Sequence, residues 1–358
     1  MILPEPYHID NLMLANDEVF ILAAGFEDRV LNFPQLLDSR SVGKDVLLLE
    51  YLPFIANNRK DDIKIIIETK GFSLTEIEYN RYSPDDFDFR LKNYFEKHNA
   101  KSICLDVSGL SRLAIMIIMD VVREKSLSLR ILFTEAKEYA PSQEEFEEAK
   151  AKELQHLPTS FIHTGVYDVI HVQQLSSIKM QNRATVLIVF DSFNEALCQA
   201  LINRINPSML VLINGRPPRK ELEWREEATA YVHHRLREEW SSGTENENIS
   251  TSTLYYKDTY EQLKKLYWDY SSTHRIILSP TGSKMQTIGC YLLRAIHSDI
   301  HIEYPTAHGF FAQKYSKGVR DNWVIDFGNF GHLVKELRNE EISEHLGLPS
   351  QIIDVDIK

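Results

Sequence analysis

Thr281-Gly282-Ser283-Lys284-Met285 is the segment of this chain best equipped for chemistry. It follows an apolar run of strand length and opens a run of helical period. Glycine lets a ligand approach the backbone closely. A helix N-terminus adds unpaired N–H groups and partial positive charge. Thr281 and Ser283 add hydroxyls and Lys284 a full charge, so the loop suits a phosphate or phosphodiester. The Walker A spacing GxxxxGK[ST] is absent. Ser108-Gly109-Leu110-Ser111-Arg112 holds the matching place earlier in the chain. There Ser108, Gly109, Ser111 and Arg112 could meet a phosphate or a base edge, and Asp106 could accept from a ribose hydroxyl. Both loops also fit plain helix capping.

Other strand ends carry further candidates, because ligands of open α/β sheets bind beyond the carboxyl ends of the strands. Gly25, Glu27, Asp28 and Arg29 follow the first apolar run. Asp191 is their counterpart in the second half, with Asn214 and Arg216 after the next strand. His308 and Tyr315 stand in a late glycine-bearing loop and could clamp a nucleotide or act as acid/base groups. The first half is richer in acids at these ends (Glu27, Asp28, Glu50, Asp106, Glu135). Facing crevices would then have one acidic wall and one phosphate-friendly wall. No His, Cys and carboxylate set has zinc spacing, and neither GxGxxG nor GxSxG occurs. No metal and no cofactor is expected.

The elements that must position these residues alternate. Short apolar runs at 19–24 and 46–51 predict buried strands, further strands are read at 74–80, 101–107 and 129–134, and helices near 58–70, from Asp85, after Gly109 and over 142–153. The order restarts with strands at 184–190, 209–213, 251–256, 274–279 and 300–304. Helices are predicted over 194–205, 220–240, 258–271 and 284–296. A returning strand or hairpin is expected at 160–172 and a last strand at 323–327. Matching points of the two series keep a near-constant separation, which suggests internal duplication. The fold class expected is α/β: two tandem Rossmann-like, doubly wound parallel-sheet domains, residues 1–178 and 179–358, each with a late β-hairpin.

Composition excludes several classes. The net charge is −12 with no Lys/Arg run, which argues against tracking duplex nucleic acid by phosphate neutralisation. No apolar stretch reaches about 18 residues, so no membrane span is expected. Cys104, Cys198 and Cys290 lie in apolar surroundings without a CxxC pair, as buried thiols in a cytoplasmic protein do.

The Thr281–Met285 loop resembles the signature of CRISPR-associated Rossmann-fold (CARF) sensor domains, which reads Thr/Asn-Gly-Gly-Thr-Lys-x-Met. Here two small positions are compressed into Gly282-Ser283, and Met285 directly follows Lys284. A duplicated chain of this size also resembles SAVED domains, which look like two fused CARF units. The resemblance implies a sensor of prokaryotic antiviral defence. It would hold a cyclic or linear oligonucleotide between two halves and act through a separate effector protein or a homo-oligomer. It implies phosphate contacts from Thr281, Ser283 and Lys284 and, through the repeat, from Ser108, Gly109 and Ser111. Two other readings stay open. One is a ring-nuclease-like phosphodiesterase, in which Lys284 stabilises charge while Ser283 or Ser111 orients the attacking hydroxyl. The other is a ligand-free adaptor with helices 142–153 and 220–240 as contact faces.

Overall fold

A computed structural model describes residues 3–55, 57–152, 166–240, 249–307, 309 and 315–347. The first series of elements is β1 (Tyr7–His8), β2 (Glu18–Ala23), α1 (Asn32–Leu36), β3 (Asp45–Leu52), α2 (Lys60–Thr69), β4 (Ser73–Asn80), α3 (Phe87–Lys97), β5 (Ser102–Asp106), α4 (Arg112–Glu124), β6 (Ser128–Thr134), β7 (Glu138–Tyr139) and α5 (Gln143–Ala151). The second is β8 (Val166–Ile170), β9 (Ala184–Phe190), α6 (Glu195–Ile205), β10 (Met209–Arg216), α7 (Trp224–Val232), α8 (His234–Trp240), β11 (Ile249–Ser252), α9 (Tyr256–Tyr270), β12 (His274–Ser279), α10 (Lys284–Ile296), β13 (His301–Ile302), β14 (Tyr304–Ala307), β15 (Ser316–Lys317), β16 (Asn322–Asn329) and α11 (Phe330–Leu346).

The α/β class is as the apolar runs require. The sheet order β6-β5-β2-β3-β4 in the first half matches β13-β12-β9-β10-β11 in the second, and all these pairings are parallel. Each is the Rossmann order, with its switch point between the first strand and the fourth. Strand alternation sends Phe20 and Leu22 to one face, against Phe33, Ile63 and Ile67. Ile21 and Leu47 go to the other face. They join a core that continues through Ile117 and Leu292 to Ile188 of the second sheet. The two sheets thus enclose a shared layer of helices that includes α4 and α10.

Strand pairings cross the expected division at residue 178. β16 returns to the first sheet and pairs antiparallel with β6, while β15 pairs with β7. β8 pairs with β14 across the halves. An unpaired edge on β6 would expose a row of N–H and C=O groups, and β16 covers it. The helix α11, which follows, packs on α4 and α10 of both halves. The long helix expected over 220–240 is broken: a 3-10 turn at Lys220–Leu222 precedes α7, and the chain breaks again at His233 before α8. Residues 153–165, where much of the first hairpin was expected, lie outside the described residues. Among the described residues, no helix is long and apolar enough to cross a membrane.

Gly289 sits in α10 where α9 crosses it. A Cβ there would lie 2.7 Å from the Tyr256 carbonyl oxygen and 2.9 Å from Thr259 Cβ, so backbone would have to shift. Gly289→Ala is expected to lose about 1–3 kcal/mol of stability through overpacking. Urea unfolding measures this; an unchanged midpoint would show that the helices part freely.

Candidate functional site

The two switch points open onto one cavity of about 430 Å³, walled by both halves. Its floor is the pair of glycine loops. In the first, Tyr51 Oη accepts from the Ser111 N–H at 2.6 Å and donates to the Gly109 carbonyl at 3.2 Å, which shapes the turn. Ser111 Oγ caps α4 by accepting from the Ala114 N–H. Gly109 is required here: a Cβ would stand 2.9 Å from the Ala23 carbonyl oxygen. In the second loop, Ser283 and Gln286 form a capping box on α10. The first two N–H groups of each helix have no intrahelical acceptor and stand at the loops.

The residue that begins each helix crosses to the opposite half. Lys284 Nζ donates to the Ser108 carbonyl oxygen, and Arg112 Nε donates to the Gly282 carbonyl oxygen. The loops that the sequence pairs by position are therefore interlocked in space. Lys284 Nζ also lies 3.9 Å from Glu27 Oε1. Burial, then the charges of Arg29 and Arg112, push the Lys284 ammonium down to about 7, against the pull of Glu27. Burial would raise the Glu27 carboxyl, but Arg29 at 2.9 Å and Lys284 hold it down at about 2. Burial raises Asp106 to about 6 in spite of its hydrogen bond from the Ser108 N–H.

Of the residues expected at a site, Gly25, Glu27, Arg29, Gly109, Ser111, Arg112, Asp191, Thr281, Gly282, Ser283, Lys284 and Tyr315 line this cavity. Several have their polar atoms engaged within the fold. Thr281 Oγ1 donates to the Phe190 carbonyl at 2.7 Å and accepts from the Phe190 N–H. Ser283 Oγ donates to the Thr253 carbonyl at 2.8 Å. Asp28, Asp106, Ser108, Asn214 and Arg216 do not line it. Asp28 pairs with Arg59 at 2.7 Å and Arg216 with Asp258 at 2.8 Å, both at the surface. Asp106 and Ser108 are buried beneath the first loop, where Ser108 Oγ accepts from the Thr134 N–H. Asn214 is tied to α7 through the Glu226 carbonyl and the Thr229 hydroxyl. His308 lies outside the described residues.

The expected acidic wall is not there. Glu27 is neutralised by Arg29, Glu50 by Lys60 at 2.8 Å, and Asp191 by Arg237. Glu135 accepts from Trp323 Nε1 at 2.8 Å. Sequence reasoning missed Arg81, Arg219 and Arg225, which line the cavity together with Arg29, Arg112 and Lys284. It also missed the rings of Tyr51, Tyr79, Tyr139, Phe193 and Tyr304. Arg81 and Arg219 follow closely on the ends of β4 and β10, which was a usable signal. Arg225 lies within a helix and carried none. The cavity is cationic and ringed by aromatic side chains, in a protein whose net charge is −12. Among the described residues, no cluster of three His, Cys, Asp or Glu side chains could hold a metal ion.

No family model and no curated protein matches the chain. Among solved structures, it is similar to the cytoplasmic domain of a prokaryotic cation chloride cotransporter, with 11% identity and a TM-score of 0.22 over 82% of this chain and 96% of that one. It is also similar to a universal stress protein from Archaeoglobus fulgidus DSM 4304, with 13% identity and a TM-score of 0.22 over 82% and 97% of the two chains.

Proposed function

We propose that this protein binds a nucleotide, a cyclic or linear oligonucleotide or a related molecule, in the cavity between its two Rossmann-like halves. In this reading it is a sensor of prokaryotic antiviral defence that passes the bound state to a separate partner. The observation that carries the binding claim is the meeting of two helix N-termini, with Arg112 and Lys284, in one aromatic-lined cavity. Helix N-termini and cations suit phosphate. Tyrosine and phenylalanine faces suit bases. The volume falls in the range of about 300–1,000 Å³ that small-molecule sites occupy. A signalling route follows from the interlock. A phosphate that captures Arg112 and Lys284 draws each away from the other half's carbonyl, which alters how the halves hold each other.

Isothermal titration with mononucleotides, linear dinucleotides and cyclic di-, tri- and tetranucleotides tests this. At least one member is expected to bind with micromolar or tighter affinity. Silence across the panel from folded protein would reject the reading and favour an adaptor role.

One observation favours a phosphodiesterase on the same scaffold. Lys284, at about 7, can exchange a proton near neutral pH. The Ser283 hydroxyl already donates to Thr253, so Ser111 is the serine left to orient an attacking hydroxyl. Chromatography of the titrated nucleotides separates the two readings: intact ligand after prolonged incubation means binding without turnover.

A further inference from the structure

Four of the cavity's six cations fall into two pairs, the others being Arg29, held by Glu27, and Arg81. Arg112 and Lys284 stand at the paired helix N-termini. Arg219 and Arg225 stand on the wall made by the second half, after β10 and within α7. Tyr139 lies against both arginines of that wall. Its ring is 6.0 Å from the Arg29 guanidinium and 5.8 Å from those of Arg219 and Arg225. Arg225 is also 4.5 Å over the Phe193 ring.

This second group is poorly neutralised. The Nη atoms of Arg225 donate to the carbonyls of Tyr139, Ala140 and Pro141, at 2.9–3.2 Å, and no carboxylate among the described residues pairs with it. Arg219 has Glu135 at 3.7 Å, a carboxylate that already accepts from Trp323, and the exposed Glu221 at 3.8 Å, which Arg320 holds more closely at 2.8 Å. Arg219 Nε is buried without a hydrogen-bond partner. Burial holds the Arg225 guanidinium down at about 10, with Arg219 adding to the effect and Tyr139 opposing it. Like charges confined beside apolar rings are unfavourable until an anion joins them.

We propose that Arg219 and Arg225 form a second anion subsite, so that the ligand of this cavity carries two separated anionic groups, one for each pair of cations. This rests on the nucleotide reading and narrows it. A single mononucleotide phosphate fills one group and leaves the other unanswered. Two phosphates bridged by a nucleoside answer both, with Tyr139 and Phe193 as ring faces for a base.

Titrations of 5′-AMP and of the 5′-phosphorylated linear dinucleotide pApA, into wild type, Arg219→Gln, Arg225→Ala and Lys284→Met, test it. Wild type is expected to bind pApA at least about tenfold more tightly than AMP. Arg219→Gln and Arg225→Ala are each expected to weaken pApA roughly 10- to 100-fold and AMP by less than about threefold. Lys284→Met weakens both. Arg225→Ala loosens the 139–141 turn, so Arg219→Gln, which gives up only a 3.4 Å bond to the Ala136 carbonyl, is the variant free of that effect. Equal affinity of wild type for the two nucleotides, or equal losses for both in Arg219→Gln, overturns the second subsite and leaves the cavity reading standing. Failure of folded wild type to bind either nucleotide overturns the second subsite, and the cavity reading falls with it only if the cyclic nucleotides are silent as well.

Discussion

Glu341→Leu is expected to cost about 3–5 kcal/mol of folding stability, the range for removing one partner of a buried, hydrogen-bonded charge network. Glu341 is a buried carboxylate near the end of α11. Its Oε1 accepts from His297 Nε2 at 2.6 Å and from Trp268 Nε1 at 2.9 Å, and its Oε2 accepts from the Tyr260 hydroxyl at 2.9 Å. Leucine leaves three donors in the second half without an acceptor. The His297 ring stacks on Tyr267, with ring centroids 3.5 Å apart, so it cannot turn to find water. Phe330, Leu333, Val334 and Leu337 place the rest of α11 in the shared core, and Glu341 anchors the helix beyond them. The pH dependence has a definite sign. Burial would raise the Glu341 carboxyl, but His297 and the Tyr260 and Trp268 hydrogen bonds hold it below its ordinary value. The unfolded chain therefore takes up this proton first as pH falls. The stability is fully present above the ordinary glutamate value, about 4.3, and is lost as pH falls through the lower folded value. Urea unfolding at pH 7 and at pH 4 checks both parts. A loss under about 1 kcal/mol at pH 7 would mean that α11 is held by its apolar face alone.

Lys284→Met is expected to weaken nucleotide binding roughly 10- to 100-fold, the value of a charge-assisted contact to phosphate, with stability unchanged or raised. The ammonium is buried between the Arg29 and Arg112 charges; it donates to the Ser108 carbonyl, but its nearest carboxylate, Glu27, stands 3.9 Å away. Methionine has nearly the same length and removes that desolvated charge. Binding sites commonly keep such locally unfavourable groups because the ligand compensates them. The lowered value also sets two pH trends. Between about 7 and the ordinary lysine value near 10.4, the unfolded chain binds more protons than the folded one, so unliganded stability rises with pH across that window. An anionic ligand prefers the protonated amine, so its affinity falls as pH rises above about 7. Both trends should flatten in Lys284→Met. Calorimetry and thermal melts over pH 6–10 measure them; a pH profile shared by wild type and variant would remove Lys284 from the site.

Much of the frame was legible before any coordinates. Continuous apolar runs mark strands buried on both faces, and a hydroxyl residue before an apolar helical period marks a cap. Ser111 and Ser283 do cap their helices, and the equivalence of the two loops is visible in their spacing. Both signals are local, set by side chains a few residues apart. The charge of the cavity was misread for the same reason. Glu27, Glu50 and Asp191 are acids on paper, but Arg29, Lys60 and Arg237 neutralise them, two of these across ten or more residues.

The amino-acid sequence by itself determined the α/β class, the repeated βα units and the two glycine loops at helix starts. It did so because backbone pattern and capping chemistry act over one or two turns. Only the tertiary structure decided that β16 closes the first sheet and that Arg112 and Lys284 change sides. It alone also brought Arg219, Arg225 and Tyr139 into the same cavity. Those contacts join residues far apart in the chain. Edge pairing, charge neutralisation and burial depend on which surfaces meet when the two halves pack, and no local pattern encodes that meeting.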